Sequence, residues 1–520
     1  MFYFYYLAFL LLFGYIKFYV IHKLFLRDHS RKRAHRWEKL SEFPGDTPIP
    51  ILGNVLQLGF DADKSTKKLL AMWERHGKQN IRLSLGSEDW ILLTNPDDIT
   101  ILNHPTEISK PLERNIAMKP FFGNSVSTSE GERWKSTRKL IAPSFYFNTL
   151  EGKVDDVNKY CDRLFEIFDS YDGKGHVELY RYIRPFMYDI LCSNLMGVKT
   201  NLLADCDHPY LKAGRKVIKI INDNYFSYWR NIRFLFMMTP QYKEMMDTVK
   251  TIKQNSTNII LERRKILNSK IEKTLNNNKN VDLDLKNIIE SKINNGGCLL
   301  DKFIFSKSPN GEPTSDDVIN EEITLLCFTG HYTTTATISH TLYCLAKYPE
   351  IQNRVLEEQK SIFDKNLHKN PTTQELNQMK YLEAVIKESI RVFPTITKIG
   401  RHLQNDLTFK DGRVAPAGSS VVVFYDAAFK NPKVFPEPEK FNPERFLDSM
   451  HTFAFVPFSA GPRNCIGFRF AWVAMKATIS NVLKRYEVML GDAGTEPQFV
   501  SRMLTESKNG IRLKLKKRNL

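Results

Sequence analysis

The sequence predicts one large, mainly α-helical domain with small β-sheets, behind an N-terminal transmembrane helix. Three observations lead to this fold class. The first 16 residues carry no charge, residues 110–400 place apolar side chains at intervals of three and four, and proline, glycine and β-branched runs become frequent after residue 400. Such intervals are typical of helices that bury one face, whereas β-branched runs between turn residues are typical of strands.

Composition narrows the class of protein. The 520 residues are 42% hydrophobic, which is usual for a globular protein. Seven scattered cysteines without a Cys-x-x-Cys pair argue against a disulfide framework and indicate a reducing compartment. The formal charge is +17, but no nucleic-acid-binding motif accompanies the dispersed Lys and Arg, so we expect no nucleic-acid partner. A basic surface facing anionic lipid or an acidic protein partner is expected, or a basic solvated surface without a partner.

The N-terminal segment predicts a membrane anchor. Residues 1–26 are mostly apolar and long enough to span a bilayer, and the basic block RDHSRKRAHRWEK follows directly. By the positive-inside rule, this block and everything after it stay in the cytosol. A cleaved signal peptide is the alternative, but the segment lacks the basic start and the small-residue cleavage site that such a peptide needs.

The rest of the chain divides by composition. FPGDTPIPILGN holds three prolines and two glycines, so residues 27–54 are expected to form a basic and proline-rich hinge before a catalytic domain over 55–520. NIRLSLG, WILLTN and SSVVVF predict strands, and FAWVAMKATISNVLKRY predicts a final helix. The Asn- and Lys-rich residues 268–287 predict an exposed, mobile connection.

FSAGPRNCIG, residues 458–467, carries the strongest chemical signal. Cys465 lies in a loop rich in Gly and Pro, with Arg463 and Gly467 two residues to either side, and an apolar helix follows. The N-terminus of that helix would favour a thiolate and lower the pKa of the cysteine. Glycine lets the backbone approach a flat ligand. A thiolate held in this way suits the iron of a haem, while a buried structural cysteine is the alternative.

This segment, from Phe458 to Gly467, resembles the haem-binding signature FxxGxRxCxG of the cytochrome P450 superfamily at every fixed position. From the proline-rich segment onward, the chain is most similar to the insect family 4 branch, through GERWKSTRKLIAPSF, MKYLEAVIKESIRVFP and FPEPEKFNPERF. The resemblance implies the cytochrome P450 fold in one catalytic domain, and a haem b with Cys465 as its axial ligand.

Other motifs occur in the order that this superfamily requires. Glu388 and Arg391 lie three residues apart in a helical pattern and can pair. The resemblance implies that Arg445 joins them in a structural network. It also implies that four side chains reach the haem propionates, with the arginines suited to carboxylates by their planar donor groups: Trp134, Arg138, Arg401 and Arg463.

The stretch FTGHYTTTATISH resembles the helix that crosses the haem in this superfamily. The resemblance implies that Gly330 makes room for dioxygen and that Thr333 passes a proton toward it, in a helix that opens locally. Family 4 proteins usually carry Glu where this chain has Thr329, so we expect haem without a covalent ester. They carry Asp where this chain has Tyr332, a poor proton shuttle near neutral pH, whereas His331 titrates in the right range.

Together these features imply a haem-thiolate monooxygenase of the endoplasmic reticulum membrane. It would insert one atom of O2 into an apolar substrate (a fatty acid or other lipid, a terpenoid hormone or a xenobiotic), contacted by residues 225–238 and Thr395–Ile399. Electrons would come from NADPH through NADPH-cytochrome P450 reductase, with cytochrome b5 as a second partner. The alternatives are a haem-thiolate isomerase or dehydratase acting on lipid peroxides, and a non-catalytic haem or lipid binder.

Overall fold

Helices dominate the chain, as the spacing of its apolar residues predicts. The computed structural model describes residues 36–49, 52–59, 61–86, 88–146, 152–226, 233–276, 297–307 and 311–519. Its α-helices are α1 (Val55–Leu58), α2 (Ala62–Arg75), α3 (Pro96–Ile99), α4 (Leu112–Phe122), α5 (Gly131–Ile141), α6 (Lys153–Asp169), α7 (Leu179–Leu191), α8 (Pro209–Phe226), α9 (Arg233–Met237), α10 (Pro240–Asn276), α11 (Leu299–Ile304), α12 (Asp316–Lys347), α13 (Pro349–Ile362), α14 (Thr373–Gln378), α15 (Lys380–Val392), α16 (Tyr425–Ala428) and α17 (Phe468–Arg485).

Small sheets surround this helical body. One has the order β1-β2-β7-β4, with β2 and β7 parallel and the other pairs antiparallel, and another has the order β3-β11-β8. Two short hairpins, β5-β6 and β9-β10, are the other sheets in the part of the chain that the structure describes. The strands are β1 (Ile81–Leu85), β2 (Glu88–Leu93), β3 (Val177–Glu178), β4 (Lys398–His402), β5 (Leu407–Thr408), β6 (Val414–Ala415), β7 (Ser420–Phe424), β8 (Tyr486–Leu490), β9 (Phe499–Ser501), β10 (Thr505–Ser507) and β11 (Arg512–Lys517).

The longest buried helix, α12, lies in the middle of the main hydrophobic core. The side chain of Ser315 caps its first turn by accepting a hydrogen bond from the N–H of Val318. Most side chains after Ile319 are buried, because other elements pack around the helix. Gly330 allows a close crossing with α7, because a Cβ at this position would lie 2.0 Å from Cδ1 of Leu191. Gly330 therefore faces α7.

The mainly helical class with small sheets is confirmed, and one local expectation is corrected. Residues 268–276 were predicted as part of a mobile connection. In the structure they continue α10, which extends to Asn276. The described part of the proline-rich segment is fixed to β1 by hydrogen bonds from Arg82 N to Pro44 O (2.8 Å) and from Asn54 N to Ser84 O (2.6 Å).

The predicted membrane anchor, residues 1–26, lies outside the described part of the chain. Among the residues that the structure describes, no helix combines the length and the apolar character needed to cross a bilayer.

A buried charge network joins α15 to the segment that precedes the cysteine loop. Glu388 and Arg391 have fully buried side chains and form two hydrogen bonds, of 2.7 and 2.8 Å. Arg445 donates to the same carboxylate at 3.3 Å, and the N–H of Asn442 donates at 2.8 Å. Arg391 also donates to the carbonyl oxygen of Phe429 at 3.0 Å. The three side chains that the sequence grouped are thus in contact around one carboxylate.

Replacing this carboxylate should weaken the fold strongly. Glu388→Gln leaves two guanidinium groups without the charge that compensates them, and breaking a buried ion pair costs about 3–5 kcal/mol. The free energy of unfolding, measured with urea, checks this. Glu357→Gln is the matched control: its exposed pair with Lys360 belongs to a class worth under about 1 kcal/mol. Similar stabilities for the two variants would contradict the expectation.

Candidate active site

A cavity lies between the middle of α12 and the loop that carries Cys465. Its empty space is about 1190 Å³, part of which opens to solvent. Apolar side chains form most of the wall, and cationic side chains interrupt it on one side. The charged, hydroxyl, thiol and aromatic side chains considered below are among the lining residues: Lys110, Trp134, Arg138, Thr329, Thr333, Thr337, Phe458, Arg463 and Cys465.

The cysteine loop folds back on itself so that its thiol faces this cavity. The N–H of Cys465 donates to the carbonyl oxygen of Phe458 at 2.9 Å. Ser459 and Gly461 adopt left-handed conformations, with φ of 61° and 68°. Position 461 requires glycine, because a Cβ there would lie 2.4 Å from the carbonyl oxygen of Leu102. The loop is therefore shaped by its own turns and by one neighbouring backbone.

The environment of the Cys465 thiol acts on its pKa in both directions. Burial raises the pKa, while the N–H of Gly467 at the start of α17 and the charges of Arg138 and Lys110 lower it. The net shift is upward, although the N–H of Gly467 acts in the expected direction. A Cβ at Gly467 would meet only one carbon of Phe145, at 3.7 Å, so protein packing does not require glycine there.

Arg463 forms one corner of the cavity. Its guanidinium lies 4.1 Å from the ring centroid of Trp134 and donates to the carbonyl oxygen of Ser129 at 3.0 Å. It also pairs with Glu130 and donates to the carbonyl oxygen of Val126 at 3.5 Å. Its buried Nε has no hydrogen-bond partner among the described residues, so this corner retains a donor.

Arg138 and Lys110 add two cations to the same wall. Arg138, on α5, donates to the carbonyl oxygen of Asn464 at 2.8 Å and so grips the cysteine loop directly. Burial lowers the pKa of Arg138, and the Cys465 thiol raises it. Lys110 donates to the carbonyl oxygen of Ser127 at 3.1 Å. The wall is therefore cationic on the side of α5.

The structure places Arg401 against the cysteine loop. It lies on β4, fully buried, and does not line the cavity. It donates to the carbonyl oxygen of Gly400 at 3.0 Å and to Ser459 and Ala460 at 3.4 and 3.5 Å. These contacts hold the cysteine loop from behind.

One face of α12 presents hydroxyl groups to the cavity. Thr329, Thr333 and Thr337 follow one another at four-residue steps, and each donates to the carbonyl oxygen four residues earlier, at 2.8, 2.9 and 3.1 Å. Thr337 also contacts the hydroxyl of Thr395 at 2.8 Å. The helix is continuous through this stretch, so the expected local opening is absent. The backbone bonds satisfy the hydroxyl protons within an intact helix.

His331 lies away from the cavity. It is fully buried among aromatic rings, with centroids of Tyr188 and Tyr210 at 5.2 and 5.8 Å, and its Nδ1 contacts the carbonyl oxygen of Cys327. Burial lowers the pKa of His331 to about 3. The expectation that it titrates near neutral pH is therefore wrong, because the protonated imidazole is desolvated there.

Tyr332 is also buried and points toward α8. A Cβ at Gly214 would lie 2.4 Å from the Tyr332 hydroxyl, so the tyrosine fills space that only a glycine leaves open. The hydroxyl has no hydrogen-bond partner among the described residues, and burial raises its pKa well above the usual value. Its ring stacks on Phe328 with centroids 4.6 Å apart.

A second cavity, with about 1100 Å³ of empty space, also borders Thr329 and Thr333 of α12. Its wall is mostly apolar, from residues such as Ala117, Met118, Ile221 and Leu504, and it includes Tyr332. Every residue from Thr395 to Ile399 lines one or both cavities. The two cavities share the lining residues Ser127, Thr329, Thr333, Ile396 and Ile399.

The other segment expected to contact substrate behaves differently. Residues 227–232 lie outside the described part of the chain. Phe234 and Met238 are each 73% exposed, and no residue of 234–238 lines either cavity. Phe236 packs into the hydrophobic core, whereas its neighbours Phe234 and Met238 face outward.

Comparison with known proteins shows which family the chain belongs to. The family model for cytochrome P450 matches residues 43–515. The chain belongs to the cytochrome P450 family. It is 31% identical to cytochrome P450 4c3 of Drosophila melanogaster over 503 residues, which cover 95% of this chain and 93% of the relative. It is 32% identical to the probable cytochrome P450 4d20 of the same species over 499 residues, covering 94% and 95%.

Membership of the cytochrome P450 family makes the protein a monooxygenase with a haem and a cysteine thiolate ligand. The cavity fits such a group. Its wall is apolar, as a flat macrocycle requires, and the cationic side with the unpaired Nε of Arg463 suits the two haem carboxylates. Cys465 is the cysteine whose side chain lines this cavity.

Three residues near the site carry no sequence signal that isolates them. Lys110 follows no motif, and Glu130 precedes the Trp-Arg pair without any required spacing. Glu322 lies on α12 among other acids, and its position could be suspected only from the apolar pattern around it. Their roles arise from contacts between segments that are far apart in the chain.

Glu322 is a buried carboxyl beside the cavity. It accepts a hydrogen bond from the N–H of Val126 at 3.0 Å, and its second oxygen has no partner among the described residues. Burial raises the pKa of Glu322 to about 7, the N–H of Val126 and the charge of Arg133 lower it, and Glu321 raises it. The group thus titrates near neutral pH inside the fold.

This raised pKa predicts a pH-dependent stability. Between about pH 4.5 and 7 the folded protein binds a proton that the unfolded chain lacks, so the free energy of unfolding falls as pH rises through this window. Glu322→Gln, which keeps the shape and the acceptor for Val126, should remove this loss. The variant should gain about 2–3 kcal/mol over the wild type at pH 8 and little at pH 5, by urea unfolding. An equal gain at both pH values would contradict the assignment.

Proposed function

We propose that this protein is a membrane-bound haem-thiolate monooxygenase that oxidises apolar lipids. In this proposal Cys465 ligates the iron. The haem carboxylates are held by Arg138, Arg463, Trp134 and Lys110. The observation that carries it is the arrangement of one cavity between Cys465 and the Thr333 face of α12, sharing lining residues with a second, mostly apolar cavity. Phe458 and Gly467 shape the cysteine loop, and Arg401 supports it from behind.

The bound haem would supply oxygen activation, which a thiolate ligand favours. The protein's own side chains position the reacting groups and protect them from water. Thr333 holds its proton at Oγ1, directed to the carbonyl oxygen of Thr329, and lines both cavities. Thr329 has a hydroxyl where related proteins carry a carboxylate, so the haem would be held without an ester.

The second cavity supports an apolar substrate. Aliphatic and aromatic side chains line most of it, and they exclude water from a bound chain. Arg502 lies on the wall, in an ion pair with Asp63 at 2.6 Å. We infer that the substrate is a fatty acid or another lipid, with terpenoid hormones and xenobiotics as further classes.

Electrons would come from NADPH through a reductase, with cytochrome b5 as a second partner. The net charge of +17 favours association with an acidic protein, because complementary charge mainly raises the rate of encounter.

Membrane binding at the endoplasmic reticulum is part of the proposal. Exposed apolar side chains on α9 and near α1 support it: Ile49, Leu52, Leu56, Phe234, Leu235, Met237 and Met238. One relative, from Drosophila mettleri, is named mitochondrial, so fractionation of cells is needed to distinguish the two membranes.

The proposed function is tested with the purified full-length protein and a mixed pool of medium- and long-chain lipids. One reaction contains reductase, NADPH and O2, and the other contains hydrogen peroxide. We expect the thiolate-type carbon monoxide spectrum and hydroxylated products in both reactions, identified by mass spectrometry. Cys465→Ser should lose the spectrum and both products. A normal spectrum without any oxidised product from either reaction would contradict the proposal.

Narrowing the second cavity should reduce substrate use. Met118→Trp places a larger ring on the cavity wall, and we expect kcat/KM for the best long-chain substrate to fall about tenfold, because a productive pose is lost. The carbon monoxide spectrum should stay unchanged. Met246→Trp, at an exposed position outside both cavities, is the matched control. Equal kcat/KM for the two variants would show that the second cavity does not hold the substrate.

A further inference from the structure

Residues 123–129, between α4 and α5, form a wall segment that reaches both cavities. Val126 lines the cavity that contains Cys465 (the first cavity), and Ser127 lines the first and the second cavity. The wall segment belongs to no helix or strand, so its backbone groups need partners from other parts of the chain. Its position therefore depends on the side chains that hold it.

Two cations hold carbonyl oxygens of the wall segment. Lys110 donates to the carbonyl oxygen of Ser127 at 3.1 Å. Arg463 donates to that of Ser129 at 3.0 Å. Both cations also line the first cavity. A shift of the wall segment would therefore disturb the cationic side of this cavity as well.

Two neighbouring glutamates of α12 hold N–H groups of the wall segment. Glu321 accepts a hydrogen bond from the N–H of Asn124 at 3.0 Å. Glu322 accepts one from the N–H of Val126, also at 3.0 Å. Arg133, on α5, donates to Glu321 at 3.1 Å and to the carbonyl oxygen of Asn124 at 2.8 Å. The wall segment is thus fixed by acids at its N–H groups and by cations at its carbonyl groups.

The two glutamates differ in their surroundings. The side chain of Glu321 is 22% exposed and forms an ion pair with Arg133. Glu322 is fully buried, and its Oε1 has no hydrogen-bond partner among the described residues. An ionised carboxylate at this position would bury an unpaired negative oxygen, which is costly, whereas the neutral acid carries no charge to compensate. The closed packing around Glu322 therefore suits the neutral acid.

Ionisation of Glu322 would disturb this packing. The charged groups that face it are Arg133 on α5 and Glu321 on α12, and the N–H of Val126 faces it from the wall segment. Burial has the largest effect and raises the pKa of Glu322 to about 7. Once ionised, its second oxygen needs a donor, which is either water or Arg133. Water reaches a buried oxygen only where its surroundings open, and Arg133 would release Asn124 as it turned, so both routes displace the wall segment.

We propose that Glu322 is a positioning residue for the wall of both cavities: the neutral acid holds the wall segment closed, and the carboxylate releases it. This inference rests on the proposed function, because these cavities are assigned there to haem and substrate. Binding of a proton and binding of an apolar molecule favour the same closed arrangement, so each strengthens the other. A bound apolar molecule is therefore held more firmly at pH 6 than at pH 8.

Amide hydrogen exchange of the wall segment tests the movement without turnover. The wild type is compared with Glu322→Gln, which keeps an acceptor for the N–H of Val126 and cannot ionise. We expect similar exchange rates for residues 123–129 at pH 6, and a wild-type rate about tenfold higher than that of the variant at pH 8. Comparison at the same pH removes the intrinsic pH dependence of exchange. Glu357→Gln, at an exposed position on α13, is the matched control and should follow the wild type.

Binding of 1-dodecanol, a neutral chain that does not titrate in this range, tests the consequence for ligands. Its dissociation constant is read from the change in haem absorbance of the purified protein. In the wild type it should rise about fivefold between pH 6 and pH 8, and in Glu322→Gln it should stay constant. Glu357→Gln should keep the wild-type change. Glu321→Gln loses the other acid and should bind more weakly at both pH values while retaining a pH dependence.

Several outcomes would overturn the inference. Equal exchange rates in the wild type and Glu322→Gln at pH 8, or the same change in the dissociation constant in both proteins, would each contradict it. Faster exchange at pH 8 throughout the wild type, and not mainly in the wall segment, would leave Glu322 a determinant of stability only. If 1-dodecanol does not bind the wild type at either pH, the proposed apolar substrate fails instead, and the exchange rates still decide the role of Glu322.

Discussion

Buried guanidinium groups hold together the walls of the active-site cavity. Arg391 is fixed by Glu388 and by carbonyl oxygens, Arg401 by the backbone behind the cysteine loop, and Arg463 by Glu130 and the segment after α4. Each guanidinium has several donors in one plane and cannot lose its charge, so it fixes several acceptors at once. Because an unpaired buried charge is costly, these positions tolerate little movement. The cysteine loop keeps its shape for this reason.

The helix α12 has two faces with different surroundings. Its four-residue steps bring Thr329, Thr333 and Thr337 onto the cavity face, with their protons directed to the helix backbone. The residues between them, His331 and Tyr332, turn toward α7 and α8 and are packed among aromatic rings. The helix therefore separates a polar, reactive face from a dry one. This separation removes His331 from any role that requires protonation near neutral pH.

The side chain of Tyr332 joins several elements of the fold. A tyrosine at this position fills space beside Gly214, and its ring lies under Arg184. That cation is paired with Glu506, on a strand that is remote in the chain. A buried charge arrangement thus spans α7, α12 and β10.

The sequence by itself determined the helical class, the cysteine loop and the grouping of Glu388, Arg391 and Arg445, because spacing and residue type in short motifs carry that information. It could not determine which side of α12 each residue faces, because adjacent positions diverge by about 100° and only packing fixes the rotation. Packing decides that Gly330 faces α7 and that Tyr332 points toward α8, and the contact of Arg401 with the cysteine loop likewise depends on tertiary structure. The pKa of Glu322 and the pairing of Arg184 with Glu506 depend on burial and on contacts between distant segments, which only the tertiary structure decides.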